Sequence, residues 1–333
     1  MYTYIRNTVI ALSIGLLVGF GYWWHWAWQP YTTDVPIEWG VSFSTEYAGY
    51  LKLDPKKVFT TILDDWKFRK IRLFAQWDQL EREPGKFDFT ELDWLMDEAA
   101  KRDAHVILAL GQKTPRWPEC HAPRWTSELS PRDYEKRLNN YIIEVVARYQ
   151  THPALEMWQV ENEPYLDFGV GCENFNSDLF YDEMRMVMRL DPLHPAMVSD
   201  SGELSSWRKT ARAGNYFGTT MYRVVWNKYI GFWNYDWLPP GFYRTKLWLN
   251  NRPIESAFIM ELQAEPWIPD KDFHDATIEE QYRSMDLNRL KKNMMFAQVV
   301  GMPRAYLWGA EWWYWLREHG YKGIPNYIEK LEK

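Results

Sequence analysis

The chain is poor in several things, and each shortage excludes something. It has 2 cysteines in 333 residues, too few for a disulfide-stapled scaffold or a thiolate metal cluster. No glycine-rich phosphate loop is present, and no Ser-His-Asp order of the kind used in acyl transfer. His121 lies near Cys120, but with Cys172 the ligand count is too low for a structural zinc site. Beyond the N-terminal segment there is no Gly-, Ser- or Pro-rich divider, repeat or low-complexity tract, so one large domain is the economical count. Positive charge is short as well. The 39 Lys and Arg face 45 Asp and Glu, a formal net charge of −6, and no basic stripe offers a footprint for nucleic acid.

Aromatic residues are abundant: 21 Trp, 21 Tyr and 16 Phe make 17% of the chain. Many must fill core volume, and the remainder suit a ligand with flat apolar faces, such as a sugar ring. Residues 8–22 (TVIALSIGLLVGFGY) are uncharged and mostly apolar, and Trp23, Trp24, Trp26 and Trp28 follow at once. Together they form a helix long enough to cross a bilayer, with the tryptophans as an interfacial belt. No small-x-small cleavage site follows. The chain is therefore divided into a membrane anchor, 1–30, and a domain, 31–333, expected outside the cytoplasm; secretion after signal cleavage is the alternative. For such a location a disulfide between Cys120 and Cys172 is permitted, since both follow neighbouring strands; two free thiols are the alternative.

After a polar connector, 29–36, strand and helix patterns alternate. Strands are expected at 38–44, 70–77, 105–111, 155–163, 196–200, 216–222, 257–263 and 305–309. Helices are expected at 54–67, 89–102, 131–150, 177–189 and 278–300. This is the pattern of an α/β fold, a (β/α)8 (TIM) barrel, preceded by a transmembrane helix. Asp54-Pro55 and Ser130-Pro131 read as helix starts, and Thr90 as a cap. Residues 226–252 show no clear period and are read as a long excursion after strand six.

In such a barrel the C-terminal strand ends build the site. They present Glu46, then Arg72, Gln76 and Trp77, then Gln112, Lys113 and Trp117, then Asn162 and Glu163. Asp200, Glu203 and Tyr222 follow, then Glu261 and Glu265, and finally Trp308 and Glu311. Two of these ends stand out. The apolar runs 158–164 and 258–267 stop abruptly in carboxylates, which at the end of a buried strand cost desolvation energy unless used or paired. Two acids facing one pocket are what hydrolysis of a glycosidic bond requires.

Asn162-Glu163-Pro164 resembles the Asn-Glu-Pro signature of the retaining (β/α)8 glycoside hydrolases, the clan of cellulases, β-mannanases, β-xylosidases and β-galactosidases. Residues 81–89 (EREPGKFDF), with Leu92-Asp93 after them, are similar to a stretch found in several of those families. The resemblance implies Glu163 as general acid/base and the strand-seven glutamate as nucleophile, with Arg72, Tyr222 and Trp308 at clan positions. Arg72 and Tyr222 would then hold the nucleophile ionised, Asn162 would bind the sugar 2-hydroxyl, and Trp308 would floor the cleavage site, with Trp77 also among the substrate-binding set. On strand seven, Glu261, Gln263 and Glu265 share one face until Pro266 ends regular pairing. Glu261 is taken as nucleophile and Glu265 as a sugar-binding or tuning group. No cofactor is needed, because water and an oligo- or polysaccharide are the only reactants. A non-catalytic carbohydrate-binding protein on the same barrel, or a transglycosylase, are the alternatives. Loops 115–130, 165–177 and 226–252 are read as subsite walls that choose the sugar.

Overall fold

The eight apolar segments become eight parallel strands: β1 Glu38–Ser42, β2 Lys70–Phe74, β3 His105–Leu110, β4 Leu155–Val160, β5 Ala196–Asp200, β6 Tyr216–Met221, β7 Ala257–Gln263 and β8 Arg304–Trp308. In this computed structural model, which describes residues 2–31, 36–269 and 271–331, each strand pairs with its sequence neighbours and β8 closes on β1. Part of the expected connector, 32–35, lies outside the described residues. Every residue of β5, β7 and β8 is buried, as strands covered on both faces require. Ile107, Met157, Met197, Phe258, Met260 and Tyr306 fill the barrel interior. The larger apolar layer lies between strands and helices.

Local chemistry sets most helix starts. Asp54 accepts the backbone N–H groups of Lys56 and Lys57 ahead of helix Pro55–Asp64, and Ser130 accepts that of Asp133 at the start of Pro131–Tyr149, with proline in the first turn of both. Three expectations are corrected. Thr90 is not a cap: it opens helix Thr90–Ala100, and Asp88 Oδ1 receives its N–H at 3.0 Å. The helix expected over 278–300 is two helices, Ile278–Tyr282 and Leu287–Val300. The second starts afresh because the Asp286 side chain accepts the N–H of Arg289, a cap that competes with a continuous helix. Finally, 226–252 is not all excursion. An antiparallel hairpin, Val224–Asn227 with Gly231–Asn234, is followed by helix Gly241–Leu249, the outer helix between β6 and β7.

Helix Tyr2–Ala27 precedes the barrel. Its apolar stretch Tyr4–Ala27 is long enough to cross a membrane, and the most apolar 18-residue window within it is unburied by the rest of the chain. Cys120 and Cys172 form a disulfide that joins the loop after β3 to the loop after β4.

Close strand packing depends on missing Cβ atoms. A Cβ on Gly202, just beyond β5, would stand 2.0 Å from the Thr220 carbonyl oxygen, whereas one on Gly218 would meet the Met260 and Met197 side chains at 2.3 and 2.8 Å. Backbone cannot yield as flexible methionines can. Gly202→Ala should therefore cost about 1–3 kcal/mol of stability and Gly218→Ala less, measured as denaturant midpoints.

Candidate active site

β4 leads into Glu161-Asn162-Glu163, and both glutamates take left-handed backbone conformations, φ 58° and 46°. Such φ values are strained for non-glycine residues and persist only where surroundings enforce them. The kink separates the two acids. Glu161 is fully buried and its carboxylate accepts the N–H groups of Gln112 at 2.7 Å and Lys113 at 2.6 Å. It occupies the space where Gly111, at φ 121°, would carry a side chain. Glu161 thus pins the loop after β3. Glu183 lies beside it, pushed well above the usual carboxylate range by burial and by the charge of Glu161.

Glu163 instead lines a cavity of about 600 Å³. Thr220 Oγ1 donates to its Oε1 at 3.2 Å. Burial first, then the charges of Glu261, Glu119 and Asp200, raise its pKa well above the ordinary value. Glu261, near the end of β7, lines the same cavity. Arg72 Nη1 donates to its Oε1 at 2.9 Å and Tyr222 Oη to its Oε2 at 2.9 Å. Two carboxylates of the sequence-derived set therefore meet at one cavity with opposite provisions. One is surrounded by negative charge, and the other takes an arginine and a phenol.

The other members of the set sit differently. Arg72 is fully buried and spends its fork on Gln159 (2.8 Å), Asn162 (3.0 Å) and Glu261, so it holds the site and does not touch a substrate. Asn162 is a junction: Ser199 Oγ also donates to its Oδ1 at 2.7 Å, while its Nδ2 donates to Glu119 Oε2 at 3.2 Å. Trp77 is not a substrate contact. It is fully buried in the short helix Trp77–Leu80, its Nε1 donates to Glu81 Oε2 at 2.7 Å, and its ring stacks on Tyr141. Glu265 and Trp308 are taken up by Arg116. Its guanidinium lies between the Tyr47 ring at 3.8 Å and the Trp308 ring at 4.0 Å, ion-pairs with both oxygens of Glu265, and reaches Glu311 at 2.9 Å. Arg116 therefore covers one face of the Trp308 ring, and neither Trp308 nor Glu265 is among the residues that line the Glu163 cavity.

Sequence reasoning passed over Glu119. It lines the cavity with Glu163 and Glu261, at φ 75°, next to disulfide-bonded Cys120. Burial and the charge of Glu261 raise its pKa to about 7. The available signal was an acid set between Pro118 and Cys120 in the loop after β3. Arg116 was missed too, and nothing in its sequence context marks it. Trp226, Trp233 and Tyr235 of the hairpin segment, with Trp267 edge-on to Tyr222, make the aromatic wall. Glu203 also lines the cavity; burial raises it to about 7. Among the described residues no lysine, arginine or histidine lines it. A neighbouring trough of about 890 Å³ shares Leu166, Phe168 and Leu204 with the cavity.

Known proteins resemble this chain over part of its sequence and in its fold. The glycoside hydrolase 42 family described as Beta-galactosidase matches residues 63–178, a span that holds β2 to β4 and Glu163 but ends before Glu261. "Beta-galactosidase LacZ" of Heyndrickxia coagulans is 26% identical over 117 residues, 28% of this chain and 16% of that protein. Among solved structures, the β-galactosidase of Rahnella sp. R3 superposes with a TM-score of 0.53 at 14% identity, over 84% of this chain and 51% of that one. Xylanase 10B of Thermotoga petrophila RKU-1 gives 0.53 at 16%, over 84% and 86%. A GH5_18 protein of Streptomyces cattleya, solved with GlcNAc, gives 0.55 at 14%, over 83% and 71%. The chain thus spans about half of the first of these structures and a small part of the Heyndrickxia protein. It shares the (β/α)8 barrel of these structures and, over residues 63–178, is similar to the glycoside hydrolase 42 family.

Two outcomes test the site's electrostatics and support. A carboxyl raised by burial contributes stability below its unfolded pKa of roughly 4.3, and loses it as pH rises through the folded value, here about 7. The thermal midpoint of Glu119→Gln relative to the parent should therefore rise between pH 5 and about 8. The disulfide closes a separation of 52 residues, for which loop entropy alone gives about 4 kcal/mol. Cys120→Ser should lose up to that amount in denaturant unfolding under oxidising conditions.

Proposed function

We propose that the protein is a retaining glycosidase that cleaves a β-glycosidic bond by double displacement, held at a membrane by its N-terminal helix with the barrel on the extracytoplasmic side. The observation that carries this is the pairing of Glu163 and Glu261 on one cavity with opposite surroundings. Glu163, raised by burial and neighbouring carboxylates, acts as general acid: it protonates the leaving oxygen as the glycosidic bond breaks. Glu261 attacks the anomeric carbon, and its two oxygens are held in place by Arg72 and Tyr222. In the second step Glu163, now a carboxylate, takes a proton from water as that water displaces Glu261. Asn162 joins the two halves through Arg72 and Ser199.

The cavity also restricts the sugar. Glu119, Glu163, Glu203 and Glu261 line it without a cationic side chain among the described residues. A uronic, sulfated or phosphorylated sugar at the cleavage point would find no cationic side chain to pair with in a low-dielectric pocket. The glycone is therefore neutral or positively charged. Aromatic rings from the hairpin and Trp267 supply the stacking surface.

A panel of 2-fluoro glycosides followed by peptide mapping tests the reading; labelling of Glu261 supports it, and labelling of neither Glu261 nor Glu265 by any sugar overturns it. Glu261→Gln should lose at least about 10⁴-fold in kcat. Glu163→Gln should lose about 10²–10⁴-fold with poor leaving groups and much less with aryl leaving groups that need no proton. Activity should fall as pH rises through the Glu163 pKa. Because Glu119 helps to raise that pKa, Glu119→Gln should move the alkaline limb to lower pH.

A further inference from the structure

The N-terminal helix does not hang from the barrel on a loose tether. Its last turns lie against helix Gly241–Leu249. Trp23 Nε1 donates to Thr245 Oγ1 at 2.9 Å. Ala27 is buried so close to Gly241 that a Cβ there would stand 2.4 Å from the Ala27 Cα. Arg244 reaches the carbonyls of Ala27 (3.4 Å) and Gln29 (2.7 Å) and lies over the Trp26 ring. The order of these pairs, 23 with 245 and 27 with 241, makes the two helices antiparallel.

The direction of Gly241–Leu249 in the barrel then fixes where the anchor points. Near its start, Tyr243 bonds Glu203, beyond the C-terminal end of β5. Just past its end, Arg252 donates to the carbonyls of Gly214 and Asn215, both at 2.8 Å, immediately before β6 begins. The helix therefore runs from the catalytic rim to the opposite rim. Its antiparallel neighbour carries the apolar residues before Trp23 out past that opposite, N-terminal face.

A groove of about 720 Å³ lies at this junction, walled by Trp23, Trp26, Leu247 and Trp248 and holding Arg244 and Arg252. Both arginines are satisfied by backbone carbonyls, and burial is offset by no carboxylate charge at either. Trp248 and Leu249 beside it are 74% and 64% exposed. Apolar walls, two uncompensated cations and the end of a membrane-length helix match the acyl chain and phosphate of an anionic phospholipid.

We propose that the barrel stands with its N-terminal face on the bilayer, an anionic phospholipid seated in this groove, and the Glu163–Glu261 cavity turned away from the membrane. This rests on the N-terminal helix being a membrane anchor, as proposed above. Strands of 5–7 residues separate the two faces of the barrel by about 20 Å, with the cavity at the far one. The substrate is accordingly a glycan chain extending away from the membrane, not a lipid headgroup.

The full chain in phosphatidylcholine nanodiscs, with and without phosphatidylglycerol, tests this. Both native cysteines are bonded, so a fluorophore can be placed through Leu249→Cys or through Tyr229→Cys at the hairpin tip. Several-fold stronger quenching at 249 than at 229 by headgroup nitroxides is expected; equal or reversed quenching overturns the orientation. Phosphatidylglycerol should raise the thermal midpoint over pure phosphatidylcholine, and Trp248→Ser should shrink the shift. No shift, or the same shift from inorganic phosphate, overturns the lipid seat. If the chain fails to float with the discs, the anchor itself is refuted and the inference falls with it, whatever glycosidase activity shows.

Discussion

A single buried guanidinium organises the catalytic end of the barrel. Arg72 projects from β2 and reaches Gln159 of β4, Asn162 beyond it, and Glu261 of β7, with no exposure to solvent. Removing one partner of a buried ion pair costs about 3–5 kcal/mol, since the other charge is left without compensation. Arg72 and Glu261 therefore stand or fall together, and Asn162 with them. The position of the Glu163 backbone follows, because the kink after β4 is held between the Asn162 amide, the Ser199 hydroxyl and the Lys113 ammonium.

A second arginine does comparable work at the rim. Arg116 lies between the rings of Tyr47 and Trp308 and gathers Glu265 and Glu311, while Ser44 donates its N–H to Glu311 at 2.6 Å. The ends of β1, β7 and β8 and the loop after β3 are thereby clamped by one stacked cation. The same loop continues through Glu119 to the disulfide. Trp308 and Glu265, both expected as sugar contacts, are engaged by Arg116. The hairpin after β6 takes over the aromatic surface.

The barrel itself was legible in the chain. Parallel strands covered on both faces must be short, continuous apolar runs, and these were visible from 38–44 to 305–309. Their ends shifted by only a residue or a few. Asp54 and Ser130 before proline marked helix starts because capping is local chemistry. Gly241–Leu249 was hidden because its exposed face carries Trp248 and Leu249, which blurs the helical period. The break before Leu287 was missed because Asp286 could serve either as an exposed helix residue or as a cap.

Sequence alone determined the topology and the presence of carboxylates at the ends of β4 and β7, since both follow from periodicity and the cost of burying charge. Tertiary structure decided what each side chain does. Glu161 and Glu163 stand two residues apart in the same tripeptide, yet one ties down a loop and the other faces a cavity, because two left-handed residues turn the chain between them. Glu119 and Arg116 acquired their roles through contacts with residues more than 40 and more than 140 positions away. A local pattern can specify a strand or a cap; which distant partner neutralises a buried charge depends on closing the barrel.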